Sequence, residues 1–269
     1  MTAAKRVGLL GGMFDPIHFG HLDLGAAAER ALGLTEMLVL PSNIPPHRPQ
    51  PFASSHHRFA MVALAIAGRP GWRAVDLELR EAVPSYTADT LRRLHAIGYS
   101  PSNLFFVTGA DAFLEIATWH EYPAVLDLAH FAVVGRSGTA VEALPANLPA
   151  IAARMRDLRV LASAKAAAVR RTSSEGASTG RRKADAVYEE LSDAGDEGRF
   201  IFLIHAETAN VSSTAIRRAR EMHQAIDGMV PWSVQQHIEQ HRLYEGPAPD
   251  SGSPEGLPGV RAGGLHGQD

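Results

Sequence analysis

The residues best suited to chemistry are concentrated in residues 11–21, which read GGMFDPIHFGH. Adjacent glycines such as Gly11 and Gly12 let backbone N–H groups approach a ligand closely, and the N-terminus of a following helix attracts anions. His18 and His21 are three positions apart, so a first helical turn would place both imidazoles on one face, where they can address one phosphate group. This pattern predicts a phosphate-binding turn.

Other interpretations of the same segment have weaker support. Neither GxGxxG nor GxxxxGK(S/T) occurs there, which removes the main argument for an ordinary dinucleotide oxidoreductase or a P-loop protein. The two histidines lack the spacing and the intervening glutamate of a zinc-protease helix, and no third ligand is evident, so no protein-bound metal is predicted. Either histidine alone would be interpreted as a surface or capping residue, but the pair behind two glycines favours function. Asp15, before a proline, is expected to form the turn rather than to act as a catalyst.

The elements that would position these residues alternate between strand and helix. Short apolar runs predict strands, and apolar positions at helical spacing predict helices. The alternation predicts a Rossmann-like α/β fold, in which a doubly wound parallel sheet has helices on both faces and binds ligands at the carboxyl ends of its strands. The predicted strands are residues 5–10, 37–40, 72–79, 104–108, 131–134 and 200–204, and the predicted helices are residues 19–32, 54–67, 87–97, 213–222 and 232–240.

One domain is expected over residues 1–245. Its strand and helix pattern breaks at about residues 138–198, where a segment rich in Ala, Ser, Gly and charge predicts a flexible insertion, with a helix near residues 185–191. Residues 246–269 lack the apolar side chains needed to pack and are expected to form a disordered tail.

Composition narrows the classes of partner. The chain has 269 residues, 45% of them hydrophobic, a formal net charge of −3 and no cysteine. This length can bury a full core, while the small charge provides no field that would favour a nucleic-acid or membrane partner. The absence of cysteine excludes disulfides and cysteine-ligated zinc. The first apolar stretch is too short and glycine-rich for a signal peptide, and no window reaches the length of a membrane span, so we expect a cytoplasmic protein.

The ordered set of motifs resembles that of the bacterial nicotinate-nucleotide adenylyltransferases. GGMFDPIHFGHL is similar to the (H/T)xGH signature of the nucleotidyltransferase superfamily, and it is followed in order by PSNIPPHR, HRFAMVALAI, PSYTADTLRRL, FFVTGADAF, VSSTAIRR and VPWSVQQHIEQHRLY. The resemblance covers about residues 5–136 and 200–244. It implies transfer of the adenylyl group of ATP to nicotinate mononucleotide with release of pyrophosphate, a step of NAD biosynthesis.

The resemblance also implies roles for individual residues. His18, His21 and Arg217 would contact the ATP phosphates and act in catalysis. Mg²⁺ is expected to bind mainly through those phosphates, because no cluster of carboxylates suggests a protein-built site. Other ATP-binding residues would be Gly11, Gly12, Met13, Phe14, Gly109, Asp111, Ser212 and Ser213. Residues that bind the pyridine nucleotide would be Asn43, His47, Arg48, Tyr86, Thr87, Trp119 and Arg136.

Several of these residues also have simpler interpretations. Ser212 and Arg217 could be a helix cap and a solvent-facing cation, and Asp111 could cap a helix. Trp119 could fill the core, and Arg136 could end a surface loop. For the whole chain, the alternatives are an adenylyltransferase that acts on nicotinamide mononucleotide or another phosphorylated acceptor, and a nucleotide sensor without catalysis. Assembly into a homo-oligomer is left open.

Overall fold

The computed structural model describes residues 5–44, 50–80, 83–135, 141–159 and 198–246. Within these ranges the strands form one seven-stranded sheet in the order β3-β2-β1-β4-β5-β7-β6, and every pair of neighbours is parallel. The predicted doubly wound parallel sheet is confirmed. The strands are β1 Val7–Gly12, β2 Glu36–Pro41, β3 Trp72–Ala74, β4 Leu104–Gly109, β5 His130–Val134, β6 Met155–Asp157 and β7 Ile201–Ile204.

The longer helices lie close to the predicted ranges because their ends carry ordinary stop and start signals. The first helix ends before Gly33, which adopts the left-handed conformation at φ 60°. The second begins after Ser54, whose hydroxyl accepts a hydrogen bond from the backbone N–H of His57. Among the described residues, the α-helices are α1 Phe19–Leu32, α2 Ser55–Ile66, α3 Thr87–Ala96, α4 Ala110–Phe113, α5 Leu144–Asn147, α6 Ser213–Glu221 and α7 Trp232–Gln240.

The core consists of two apolar layers, one on each face of the sheet. Successive residues of a strand belong to opposite layers, since side chains alternate along the backbone. Leu10 packs in the layer under α1, α2, α6 and α7. Leu9 packs in the layer that α3 covers. This arrangement leaves the carboxyl ends of the strands as the edge where loops can form a site.

The chain reverses its direction of travel across the sheet between β1 and β4. β1 pairs with β2 on one side and with β4 on the other, although β2 and β3 separate the two along the chain. Crevices at such a reversal are the usual ligand sites of open parallel sheets. The loops after Gly12 and Gly109 flank this crevice.

Two parts of the fold differ from the expectation. β3 stops at Ala74 rather than at residue 79, because residues 77–80 form a turn in which the N–H of Leu79 donates to the carbonyl of Asp76. Residues 141–159, expected to belong to the flexible insertion, pack Val141 and Leu144 into the core and add β6 to the sheet edge. A three-residue edge strand with two charged residues carries no recognisable apolar pattern.

Two further expectations lie outside the described residues. These are the helix near residues 185–191 and the tail from residue 247 onward. Within the described part of the chain, no helix has the length and apolar content of a membrane span.

Candidate active site

The turn after β1 places backbone groups at the crevice. Phe14 is buried and adopts a positive φ of 47°, so the chain turns back sharply after Met13. A Cβ at Gly12 would lie 3.0 Å from the Phe14 ring, which is tighter than a normal contact. A side chain at Gly12 would therefore push against this folded-back ring, and Gly11 extends β1 to the same edge.

His18 and His21 form a stacked pair at the start of α1. Their ring centroids are 3.7 Å apart with an interplanar angle of 29°, which confirms the prediction that both imidazoles share one face. His18 is the N-cap residue and only 2% exposed. A Cβ at Gly20 would lie 3.1 Å from both the His18 ring and the carbonyl oxygen of Ala209, so glycine permits this close approach.

The hydrogen bond to His21 fixes the chemistry of its ring. The backbone N–H of His18 donates to Nδ1 of His21 over 3.3 Å. A nitrogen that accepts a hydrogen bond carries a lone pair, so in the neutral ring the proton resides on Nε2. His21 is therefore held in the tautomer that offers an Nε2–H donor, which is the group that an anionic phosphate oxygen accepts from.

Asp15 anchors the turn from inside. Its carboxylate is 2% exposed and accepts hydrogen bonds from the backbone N–H groups of Phe52 and Ala53, at 2.7 and 3.1 Å, and from the hydroxyl of Tyr244 at 2.8 Å. Burial, followed by the charge of Asp15, raises the pKa of Tyr244, so its hydroxyl stays protonated and donates. These contacts support the structural role expected for Asp15.

Arg58 is a buried cation that the sequence analysis did not single out. It is 1% exposed, and its Nη1 donates to the carbonyl oxygens of Met13 at 2.7 Å and Ser42 at 2.6 Å. Burial lowers the pKa of Arg58, and the charge of Asp15 opposes that shift. Arg58 thus joins the turn after β1 to the end of β2. Its sequence signal was its position on the buried stripe of α2, one helical turn before Met61.

The N-terminus of α6 docks on the same turn. Ser213 donates from its hydroxyl to the carbonyl oxygen of Pro16 at 2.9 Å, and Ser212 caps the helix by accepting from the N–H of Ala215 at 3.1 Å. Arg217 donates from Nη1 to the carbonyl oxygen of Asp15 at 2.7 Å. Ser212 therefore caps the helix, as its simpler interpretation predicts, while Ser213 and Arg217 contact the predicted phosphate turn.

Arg217 is also held from its outer side. Its guanidinium lies 4.8 Å from the centre of the Phe52 ring, and its Nη2 donates to the hydroxyl of Thr214 at 3.3 Å. Stacking on an aromatic face and a hydrogen bond to a backbone carbonyl fix the plane of a guanidinium, and neither partner is an anion that would neutralise its charge. Arg217 is therefore half-buried, with its guanidinium held against the turn.

The predicted pyridine-binding residues form a second wall beyond β2. The backbone N–H of Asn43 donates to the hydroxyl of Ser85 at 2.9 Å, and Ile44 pairs with Pro84 in a parallel bridge. This pairing brings the loop after β2 to the start of α3, where Tyr86 is the N-cap residue and Thr87 the first helical residue. The N–H of Ser42 donates to the carbonyl of Gly12 at 2.9 Å, so this wall adjoins the phosphate turn.

Two aromatic contacts complete this wall. Tyr86 stacks on His120, with ring centroids 4.2 Å apart and an interplanar angle of 28°. Trp119 is half-buried and meets the buried Phe106 edge to face at 5.7 Å, so it contributes to the core while part of its ring stays accessible. His120 was not singled out from the sequence; its only signal was adjacency to Trp119.

The carboxyl group of Glu78, a half-buried residue, lies near the start of α3. Burial raises the pKa of Glu78, and its Oε1 accepts a hydrogen bond from the hydroxyl of Thr90 at 2.6 Å. Ser85 and Thr90 donate to this carboxylate, and the charges of Arg93 and Arg58 act in the same direction, so all four partly counter the effect of burial on its pKa.

The remaining predicted residues divide into two groups. Gly109 ends β4 beside β1, and Asp111 lies exposed in the first turn of α4 at the same edge of the sheet. His47, Arg48 and Arg136 lie outside the described residues. In the part of the chain that the structure describes, contacts therefore join the turn of His18 and His21 to Ser213 and Arg217. Separate contacts bring Asn43 to the start of α3, where Tyr86 stacks on the neighbour of Trp119.

Together, the parallel sheet, its reversal between β1 and β4, and the paired histidines at a glycine-rich turn define a nucleotide-binding α/β protein of the cytidylyltransferase-like class. The family model described as Cytidylyltransferase-like matches residues 9–219. A "Probable nicotinate-nucleotide adenylyltransferase" of Cronobacter sakazakii is 38% identical over 234 residues, which cover 87% of this chain and 93% of that protein. The chain therefore belongs to the cytidylyltransferase-like family, among its nicotinate-nucleotide adenylyltransferases.

One further relative agrees with this assignment, and one solved structure shares the fold. A protein of the same name from Aeromonas hydrophila is 44% identical over 155 residues, which cover 57% of this chain and 71% of that protein. The solved Plasmodium falciparum nicotinic acid mononucleotide adenylyltransferase complexed with NaAD has a TM-score of 0.57 at 15% identity, covering 89% of this chain and 97% of that one. At this identity the solved structure supports the fold alone.

Proposed function

We propose that this chain transfers the adenylyl group of ATP to the phosphate of nicotinate mononucleotide, giving nicotinate adenine dinucleotide and pyrophosphate. The observation that carries the proposal is that three side chains, those of His18, His21 and Arg217, are all attached to the turn after β1. The stacked His18 and His21 begin α1, and Arg217 bonds to the carbonyl of Asp15 within the same turn. The names of the relatives supply the acceptor, because the described residues by themselves support only a phosphate site beside aromatic side chains.

The reaction is a displacement at the α-phosphorus of ATP. A phosphate oxygen of the mononucleotide forms a bond to the α-phosphorus. The bond between the α-phosphorus and the oxygen that bridges the α- and β-phosphates breaks, and pyrophosphate leaves with the electron pair of that bond. The attacking group is already an anion, so no general base is required, and positioning with charge stabilisation supplies the catalysis. Negative charge grows on the leaving oxygens, where hydrogen-bond donors have their largest effect.

The donors of the site are fixed before substrate binds. His21 offers Nε2–H because its Nδ1 accepts from the backbone of His18. Arg217 is oriented by its bond to the Asp15 carbonyl and by the Phe52 ring. Donors that need no reorientation stabilise a transition state more than donors that must be ordered during the reaction. We assign His18, His21 and Arg217 to the triphosphate and the backbone of residues 11–14 to its approach.

The second wall would hold the pyridine nucleotide. A partly exposed indole can stack on a pyridinium ring, whose positive charge its face attracts. Trp119 meets this requirement since only part of its ring is used in the core. Asn43, Tyr86 and Thr87 remain the proposed polar contacts, and His47, Arg48 and Arg136 remain sequence-based assignments. We propose that nicotinate is preferred over nicotinamide, on the strength of the Tyr86-Thr87 segment, Trp119 and the names of the relatives.

Mg²⁺ is proposed to accompany ATP rather than to occupy a protein site. Asp15, the carboxylate inside the turn, already accepts three hydrogen bonds. Among the described residues, no group of three carboxylates converges near the turn. Mg²⁺ commonly keeps several waters and binds through substrate phosphates, which fits this arrangement.

Pyrophosphate release tests the proposal directly. The full chain is incubated with ATP, Mg²⁺ and either nicotinate or nicotinamide mononucleotide, and pyrophosphate is converted to phosphate and measured. We expect release that depends on the mononucleotide and a higher kcat/KM with nicotinate. His21→Ala should lose nearly all activity, while His56→Ala, which removes an exposed histidine of α2, should keep it. ATP binding without release would indicate a sensor, and equal kcat/KM values would remove the stated preference.

A further inference from the structure

Three histidines outside the proposed active site converge where α2 meets α7. His57 lies in the first turn of α2, His237 near the end of α7, and His241 directly after α7. Each offers one ring nitrogen, and these three atoms all lie within 4.8 Å of one another. The proposed adenylyl transfer uses none of them. We propose that His57, His237 and His241 form a binding site for one transition-metal ion of the Zn²⁺ type, which cross-links the two helices.

The ring geometry suits a tetrahedral ion. Zn–N bonds are about 2.0–2.1 Å long, so two ligand atoms of a tetrahedral site lie about 3.3 Å apart. Nδ1 of His57 and Nε2 of His237 are 3.1 Å apart, close to that separation. His241 is exposed and its ring centroid lies 4.4 Å from that of His237. Rotation of its side chain can therefore bring its ring nitrogen to the same distance from the other two ligand atoms. A water molecule would take the fourth position, as in open zinc sites.

The hydrogen bond between His57 and His237 limits how many protons the ligand atoms carry. Two ring nitrogens 3.1 Å apart share one proton, so at least one of the rings of His57 and His237 presents a lone pair. Burial, together with the charges of the neighbouring histidines, lowers the pKa of both rings. Metal binding takes neutral imidazoles, and transfer of the shared proton to the other nitrogen of its ring frees both ligand atoms.

The set of ligands selects the kind of ion. Imidazole nitrogens suit Zn²⁺, Ni²⁺ and Cu²⁺, whereas Mg²⁺ requires oxygen ligands in octahedral geometry. The site is therefore distinct in chemistry from the Mg²⁺ that accompanies ATP. The spacing of His237 and His241, one helical turn apart, is the usual way in which a helix presents two ligands to one ion.

An ion at this position would hold in place two residues that contact the phosphate turn, Arg58 and Tyr244. His57 precedes Arg58, which bonds to the carbonyl of Met13, and His241 lies three residues before Tyr244, which bonds to Asp15. The two helices otherwise meet through apolar packing and a hydrogen bond from the hydroxyl of Ser233 to the carbonyl of Leu64 at 3.1 Å. We expect the ion to raise thermal stability because it joins α2, which carries Arg58, to the segment after α7, which carries Tyr244.

Calorimetric titration tests the site. The full chain, prepared without a polyhistidine tag and freed of metal by EDTA, is titrated with ZnCl₂, NiCl₂ and MgCl₂. We expect one Zn²⁺ or Ni²⁺ per chain and no Mg²⁺ binding here. At a Zn²⁺ concentration about 100-fold above Kd, Tm should rise by about 5–10 °C. Co²⁺ should give the visible absorption of a tetrahedral complex.

Single substitutions assign the ligands. His57→Ala, His237→Ala and His241→Ala should each abolish the metal-dependent rise in Tm, while His56→Ala, the matched control at the adjacent position of α2, should keep it. His241 is exposed, so its variant will retain the fold even where His57→Ala does not, and circular dichroism in EDTA checks this. Absence of stoichiometric binding overturns the proposal. Binding that survives all three substitutions also overturns it, because the ion would then reside on other histidines.

Discussion

Replacing Asp15 with asparagine perturbs the anchor of the phosphate turn without changing its size. Oδ1 of Asp15 accepts from Ala53 N–H and Tyr244 O–H, and Oδ2 accepts from Phe52 N–H. An asparagine oxygen can replace only one of these atoms, so its NH₂ group must face a donor. Asp15→Asn therefore loses at least one hydrogen bond to a charged group, worth about 1.5–3 kcal/mol, and leaves a buried donor unsatisfied.

We expect Asp15→Asn to lower the free energy of unfolding by about 2–4 kcal/mol. For a domain of this size, that loss corresponds to a fall in Tm on the order of 4–16 °C. Calorimetry or denaturant unfolding measures both quantities. Activity should fall as well, because the carbonyl of Asp15 positions Arg217.

Two variants calibrate this result. Tyr244→Phe removes one of the three hydrogen bonds and should cost about 1–2 kcal/mol, and the double variant should cost less than the sum, since the two residues share that bond. Asp76→Asn is the surface control, because Asp76 pairs with Arg80 in an exposed ion pair at 2.8 Å. It should change stability by less than about 0.5 kcal/mol. If Asp15→Asn were as mild as Asp76→Asn, the anchoring role would be refuted.

Three further predictions follow from the site and the core. Arg217→Ala should reduce kcat in the pyrophosphate assay by about 10²–10³-fold, and a fall of less than 5-fold would remove it from catalysis. Trp119→Ala should raise KM for the mononucleotide more than KM for ATP, and an equal change in both would place the indole elsewhere. His130, whose Nδ1 accepts from the N–H of Phe200 at 3.0 Å, has its pKa lowered to about 4 by burial. The pKa of His130 is lower in the folded than in the unfolded chain, so the folded state holds the ring neutral where the unfolded state would protonate it. The free energy of unfolding is therefore highest above pH 6.5 and decreases as the pH falls toward 4. The decrease is about 3 kcal/mol, and His130→Phe should make the free energy of unfolding nearly independent of pH between 6.5 and 4. Denaturant unfolding at a series of pH values measures this.

Much of the fold follows from periodicity and end signals in the sequence. α1 and α7 have the predicted bounds because strong signals coincide with their ends, such as Gly33 in the left-handed conformation. The β1 turn was recognisable because glycines and histidines at fixed spacing have few structural uses together. β6 was missed since a three-residue edge strand acquires its identity from pairing with β7 rather than from its own composition.

The supports of the site were harder to predict than its donors. Arg58 was invisible as a functional residue because its partners are carbonyl oxygens of Met13 and Ser42, which every residue type possesses. The convergence of His57 with His241 joins residues far apart in the chain, so it requires the packing of two helices that no local pattern records. Long-range contacts of this kind become evident only once the sheet fixes which helices are neighbours.

A crystal structure with a non-hydrolysable ATP analogue and Mg²⁺ examines the proposed phosphate site most directly. We predict the triphosphate at the carboxyl ends of β1 and β4, with its oxygens within about 3.2 Å of Nε2 of His21 and of the Arg217 guanidinium. A triphosphate bound elsewhere, with both imidazoles of the stacked pair out of hydrogen-bond reach, would contradict the assignment of these residues to catalysis.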